Sequence, residues 1–178
     1  SSLHFDKDAS VETHLNDAIY MLSKEILGKI HGRKAIILIS DGGNLGGIVT
    51  RADAVAEAQR DNVPVYAVSY SAWSGVDMMP KGGIGGLNGV TLASGVTDPG
   101  MANLESWSLA TGGHVYEVSR GSTLKQIFAD IASELRSQYE IGYMPPSDTK
   151  PKRPHKLELK VKDKSLRVQA RTGFYAYP

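Results

Sequence analysis

Apolar residues recur every three or four positions near the start of the chain. Leu15, Ala18, Ile19, Leu22, Ile26 and Leu27 fall on one side of a helix predicted over 13–29, and Gly28 stands near its end. The period then changes. Ala35-Ile36-Ile37-Leu38-Ile39 is unbroken hydrocarbon within a predicted strand over 33–40. A run without polar alternation is the pattern of a strand buried on both faces of a parallel sheet. Helical spacing returns over 51–61, where Ala52, Val55, Ala56 and Gln59 share a face and Asp61-Asn62 ends the segment. The stretch VPVYAVSY, residues 63–70, predicts a second strand, with Pro64 suited to its beginning.

Residues 71–102 break this rhythm. Eight glycines and two prolines fall between 71 and 100, so the segment is expected to be a long loop without a helix of useful length. Beyond it, Asn103 is a candidate cap for a helix to Thr111, which Gly112-Gly113 would end. A short strand follows over 114–118. Ser122 opens a helix whose stripe is Leu124, Ile127, Phe128, Ile131 and Leu135. Tyr139, Ile141 and Tyr143 alternate as a strand that Pro145-Pro146 terminates. Finally Leu157, Leu159 and Val161, then Leu166, Val168 and Ala170, alternate on either side of Asp163-Lys164, which predicts a hairpin.

Strands that alternate with helices imply an α/β fold: a doubly wound, mostly parallel sheet with helices on both faces. The expected division is an α/β domain over 1–144 and a β-hairpin extension over 145–178 that packs on the same domain.

Composition narrows the function. The chain has 178 residues, 41% hydrophobic and 22% charged, with a net charge of +1, so bulk charge gives no reason to expect nucleic acid or an anionic membrane as partner. The basic residues are nevertheless uneven: Lys150, Lys152, Arg153, Lys156, Lys160, Lys162, Lys164, Arg167 and Arg171 crowd the last thirty residues, where a solvated strand face is the plain explanation. With no cysteine, thiolate metal sites, cysteine nucleophiles and disulfides are excluded. No apolar run reaches the ~18 residues of a membrane span, and SSLHFDKDAS has no signal-peptide pattern.

Two residues suggest chemistry together. Thr13 precedes the first helix, where its hydroxyl suits an N-cap, and Asp41 leaves the first strand before Gly42-Gly43, where its carboxylate suits a turn. A helix start and the carboxyl end of the next strand can meet on one edge of an open sheet, where ligands gather. A hydroxyl and a carboxylate there suit a hard cation such as Mg²⁺. Asp17 is expected to face solvent. The five histidines, among them His14 beside Thr13, show no metal-ligand spacing. GGIGG at 82–86 lacks the lysine-serine ending of a phosphate loop. Ser40 and Ser69 have no base or acid at informative spacing. Trp73, Met78 and Met79 are candidate partner contacts in the long loop.

ETHLNDAIYML followed by GRKAIILISDGGN resembles the von Willebrand factor A domain. ATGGHVYEV, IASELRSQYEIGYMPPS and RVQARTGFYA resemble the branch of von Willebrand factor A-related proteins widespread in Acidobacteria. The resemblance covers nearly the whole chain except 71–102. It implies a metal-ion-dependent adhesion site to which Thr13 and Asp41 contribute, a secreted, periplasmic or cell-surface location, and a non-enzymatic module that binds a protein partner, in the intact domain through an acidic side chain on the metal. The family's Asp-x-Ser-x-Ser motif is absent. DKDAS at 6–10 has an acid and a serine but no preceding buried strand. The chain is therefore expected to be the carboxyl-terminal part of such a domain, completed by an N-terminal segment or an oligomer partner, with Mg²⁺ weak or absent in this chain alone. The alternatives are a structural surface or envelope assembly protein with a degenerate metal site, and a metal-assisted hydrolase. Neither nucleic acid nor a membrane span is expected.

The glycine content of 71–102 makes ordering that backbone entropically costly. Limited proteolysis is expected to cut first between Gly75 and Gly100, and a bound partner should suppress those cuts. Resistance there, with first cleavage elsewhere, would remove the loop from any role in recognition.

Overall fold

The computed structural model describes residues 12–70, 99–119, 121–144, 146 and 153–175. Three strands, β1 (Ile36–Ser40), β2 (Val65–Ser69) and β3 (Val115–Glu117), form a parallel sheet in the order β1-β2-β3. The register pairs Ile36 with Val65 and Ser40 with Ser69, then Ala67 with Val115 and Ser69 with Glu117. Helices α1 (Leu15–Met21), α2 (Arg51–Arg60), α3 (Pro99–Thr111) and α4 (Leu124–Ser137) flank the sheet. The protein is thus α/β with a parallel sheet between helical layers, an arrangement compatible with a Rossmann-like fold.

Strand alternation assigns each side chain of the sheet to a layer. Ile36, Val65 and Ala67 face Leu15 and Ile19 of α1, Ala54 and Ala58 of α2, and Leu104 and Trp107 of α3. Tyr66, Val68 and Val118 face Ile127 and Ile131 of α4. Burying each of these two isoleucines is worth about 1.5–3 kcal/mol, which is what holds α4 to the sheet. Its start is fixed by a capping box: the Thr123 hydroxyl accepts from the Gln126 N–H and the Gln126 side chain accepts from the Thr123 N–H.

Several expectations are corrected. The strand buried on both faces is β2, with every residue at 1% exposure or less, and not the more apolar β1. Among the described residues β1 lies at the sheet edge. Its Ile37 and Ile39 sit in register beside Tyr66 and Val68, beyond the cover of α4, and are 41% and 51% exposed. The helical run over 15–29 is continuous but changes form, with a π segment at Leu22–Ile26 and a 3₁₀ turn at Leu27–Lys29. On α2 the buried positions include Ala54 and Ala58, with Ala52 exposed. Helix α3 begins at Pro99, four residues before the expected cap Asn103. On α4, Leu124 and Phe128 are each 41% exposed.

Residues 139–143 form no strand; Tyr139 is 93% exposed, and alternation without a neighbouring strand leaves nothing to pair. In the hairpin, regular pairing falls outside the expected runs, at β4 (Pro154–Lys156) and β5 (Gly173–Tyr175), antiparallel with His155 opposite Phe174. The intervening 157–170 ribbon is not a regular ladder, because two strands without a third or a supporting core are marginal in water. β5 packs on α2, where the Arg171 guanidinium donates to Gln59 O and Asn62 Oδ1 at 2.9 and 2.6 Å.

The edge of β1, with Ile37 and Ile39 beside it, pairs with no further strand among the described residues and is a template for one. The pure chain is expected to self-associate in sedimentation velocity. Ile39→Lys should shift it towards monomer. A wild-type chain that stays monomeric at every concentration would contradict this reading of the edge.

Candidate functional site

The carboxyl end of β1 leads into an irregular segment over 41–50, held in place mostly by asparagines. Gly42 has φ +83°, and a Cβ there would collide with the Gly100 backbone at the start of α3, so only glycine permits this approach. Asn103, now inside α3, donates from Nδ2 to Gly42 O at 2.9 Å, while its Oδ1 accepts from Arg51 at 2.7 Å. Asn44 Oδ1 accepts the Asn16 N–H at 3.0 Å. The Leu45 N–H donates to Thr13 O at 3.0 Å. The segment ends on Thr50, whose hydroxyl accepts from the Asp53 N–H and caps α2.

One buried link joins this segment to the core. Trp107, 1% exposed, donates its indole N–H to Asn16 Oδ1 at 3.0 Å, and Asn16 is itself 8% exposed. Asn16 therefore satisfies the indole with its side chain and receives Asn44 at its backbone. A buried indole N–H needs such a partner.

Both sequence-predicted oxygen donors reach this edge, but not in the expected roles. The position before α1 is occupied by His14, with no side-chain cap, so Thr13 is not the N-cap. Its hydroxyl is on an exposed residue and has no hydrogen-bond partner among the described residues. Asn44 satisfies the first turn of α1 from outside the helix. The Asp41 carboxylate is exposed and bends back on its own turn, with Oδ1 accepting from the Gly43 N–H at 2.9 Å. Thr13 meets the segment that follows Asp41 through Leu45.

Asp17 is half-buried rather than turned fully to solvent. Its Oδ1 accepts the Ile48 N–H at 3.2 Å, and its Oδ2 is buried without a hydrogen-bond partner. Gly47, at φ +86°, lies so close that a Cβ would strike that oxygen. His14 and Glu12 approach Gly46 from the same side and pair with each other at 3.0 Å.

Among the described residues the donor set does not make a complete Mg²⁺ site. Thr13 and Asp41 are two oxygens, one of them on a carboxylate already engaged in its turn, and Mg²⁺ gives up water reluctantly. Among the described residues, no three His, Asp or Glu side chains converge where an ion could be held. The candidate contacts Trp73, Met78 and Met79 lie outside the described residues.

The titratable groups with shifted pKa lie elsewhere. The Tyr116 phenol is pushed far up by burial and by Glu134, which accepts its O–H at 2.6 Å beneath α4. The Asp61 carboxyl is raised by burial and by Glu57 at the end of α2. Sequence reading missed Asn16, Asn44, Asn103 and Trp107 as the framework of the edge, because an asparagine on a helix carries no periodic signal of the loop it will meet. Compared with known proteins, the chain matches no family model, and no curated protein or solved structure is significantly similar to it.

Asn16→Leu leaves the Trp107 N–H buried and unpaired, and should cost about 1–3 kcal/mol of stability in urea unfolding. Trp107→Phe should recover part of that loss in the double variant. Strict additivity of the two substitutions would mean that the contact does not anchor the segment.

Proposed function

We propose that this protein is a non-enzymatic binding module of von Willebrand factor A type, which recognises a protein partner at the carboxyl edge of its sheet. The observation that carries this reading is the 41–50 segment. It is irregular, yet cross-linked to α1 and α3 by Asn16, Asn44 and Asn103; it begins at the exposed Asp41 and meets the exposed Thr13 through Leu45. Loops held by a rigid scaffold are where recognition residues concentrate. In the metal-dependent form of the proposal, Thr13 and Asp41 supply oxygens, the remaining ligands come from outside the described residues, and an acidic group of the partner reaches the ion. The family resemblance adds a secreted, periplasmic or surface location to the proposal.

A structural assembly unit is the second reading, and the exposed β1 edge with Ile37 and Ile39 favours it. The two readings separate at Asp41, which a partner-binding site needs and an assembly edge does not.

Selection of acidic peptides from a displayed library on the immobilised chain tests the binding reading. Enrichment should be lost on Asp41→Ala and Thr13→Ala, and enrichment indifferent to both would overturn it. Titration calorimetry of the chain alone should show weak Mg²⁺ binding. Tight binding abolished by Asp41→Ala would instead reveal a complete site.

A further inference from the structure

We propose that the hairpin arm between β4 and β5 docks on an anionic lipid surface through its tip. The base of the arm is anchored to the domain. The Leu157 N–H donates to Thr172 O at 2.9 Å and continues the β4–β5 register outward. The tip is a closed turn: the Leu166 N–H donates to Asp163 O at 3.2 Å, and Asp163 Oδ1 accepts from the Ser165 N–H and hydroxyl at 2.9 and 2.7 Å. These two bonds enclose equal lengths of chain on the two arms and set one register at base and tip, although 157–170 between them forms no regular ladder.

That register decides which face is free. Gln169 donates to Gly112 O and Glu134 Oε2, and Arg171 reaches Gln59 and Asn62, so the polar face at the base turns towards the domain. The opposite face turns away from it. Leu159 and Val161 are each 42% exposed, Val168 39% and Leu166, at the tip, 59%. Among the described residues nothing covers this apolar face, the reverse of the usual arrangement, in which hydrocarbon packs on the core and the charges face water.

Charge selects the occupant. Lys160 pairs with Glu158 at 3.0 Å, and Asp163 is engaged by Ser165. Lys162, Lys164 and Arg167 surround the tip, exposed, and none has an acidic partner among the described residues. Apolar and cationic groups thus occupy opposite faces of one thin ribbon. A protein surface laid against the apolar face would leave the cations unused. A bilayer interface can take both at once, because its headgroup layer is deep enough to surround a narrow tip: Val161, Leu166 and Val168 reach the acyl boundary, and the lysine and arginine stems lead their charges back to the lipid phosphates.

The test is flotation of the full 178-residue chain with vesicles of phosphatidylcholine alone, or of phosphatidylcholine mixed with phosphatidylglycerol. Binding is expected on the anionic vesicles only, and it should weaken as salt is raised. Each of Lys162→Gln, Lys164→Gln and Arg167→Gln should reduce the partition coefficient about fivefold. Leu166→Ser, which leaves every charge in place, should also reduce it. Circular dichroism should match wild type for all four variants, since these side chains make no contact that the fold requires. Absence of binding to anionic vesicles, or equal binding to neutral ones, would overturn the proposal. So would Leu166→Ser binding like wild type together with equally strong binding of soluble polyglutamate, a result that assigns the arm to an acidic polypeptide instead.

Discussion

The rest of the structure depends on the burial of β2 between two helical layers. Its residues alternate between those layers, Val65 and Ala67 towards α1, α2 and α3, Tyr66 and Val68 towards α4. A five-residue strand that supplies both cores leaves little freedom in how its neighbours are placed. β1 and β3 pair with it on either side, and each helical layer is anchored to its side chains. A substitution in β2 is therefore felt on both faces of the sheet, whereas one in β1 is felt mainly on the inner face, where Ile36 is buried.

The candidate site follows from that arrangement by one further contact. Burying Trp107 against the sheet obliges its indole N–H to find an acceptor, and Asn16 on α1 provides it. Once Asn16 is fixed, its backbone N–H takes Asn44, and the segment after β1 is drawn over the start of α1. Core packing and loop geometry are thus coupled through one asparagine. This gives the edge near Thr13 and Asp41 a defined shape although it contains no regular secondary structure. It also explains why Asp17, a surface acid by its helical position, is turned under Ile48 with one oxygen unpartnered.

Among the described residues, the outer part of β1 and the 157–170 arm both expose hydrocarbon that a folded chain ordinarily hides. They differ in chemistry. The β1 edge offers backbone hydrogen-bonding groups in a row with isoleucine beside them, which suits another strand. The arm offers a closed turn ringed by cations, which suits an anionic interface.

The sequence by itself determined the class of fold and the order of its principal elements. Periods of 3.6 and unbroken apolar runs are local consequences of backbone geometry, so the segments around 15–29, 36–40, 51–60, 65–69 and 124–137 could be read directly. The hairpin turn was legible for the same reason, since Asp163 and its neighbours close it among themselves. Of the site, Thr13 and Asp41 could be picked out as oxygen donors from residue type and position, but their roles could not. Only the tertiary structure decided that β2 and not β1 is central, because hydrophobicity is a property of a strand and centrality is a property of its neighbours. Only the tertiary structure left Tyr139, Ile141 and Tyr143 without a paired strand among the described residues, and their alternation has meaning only beside another strand. It alone also made Asn16 the hinge between core and loop: a hydrogen bond spanning 91 residues leaves no trace in the local spacing of either partner.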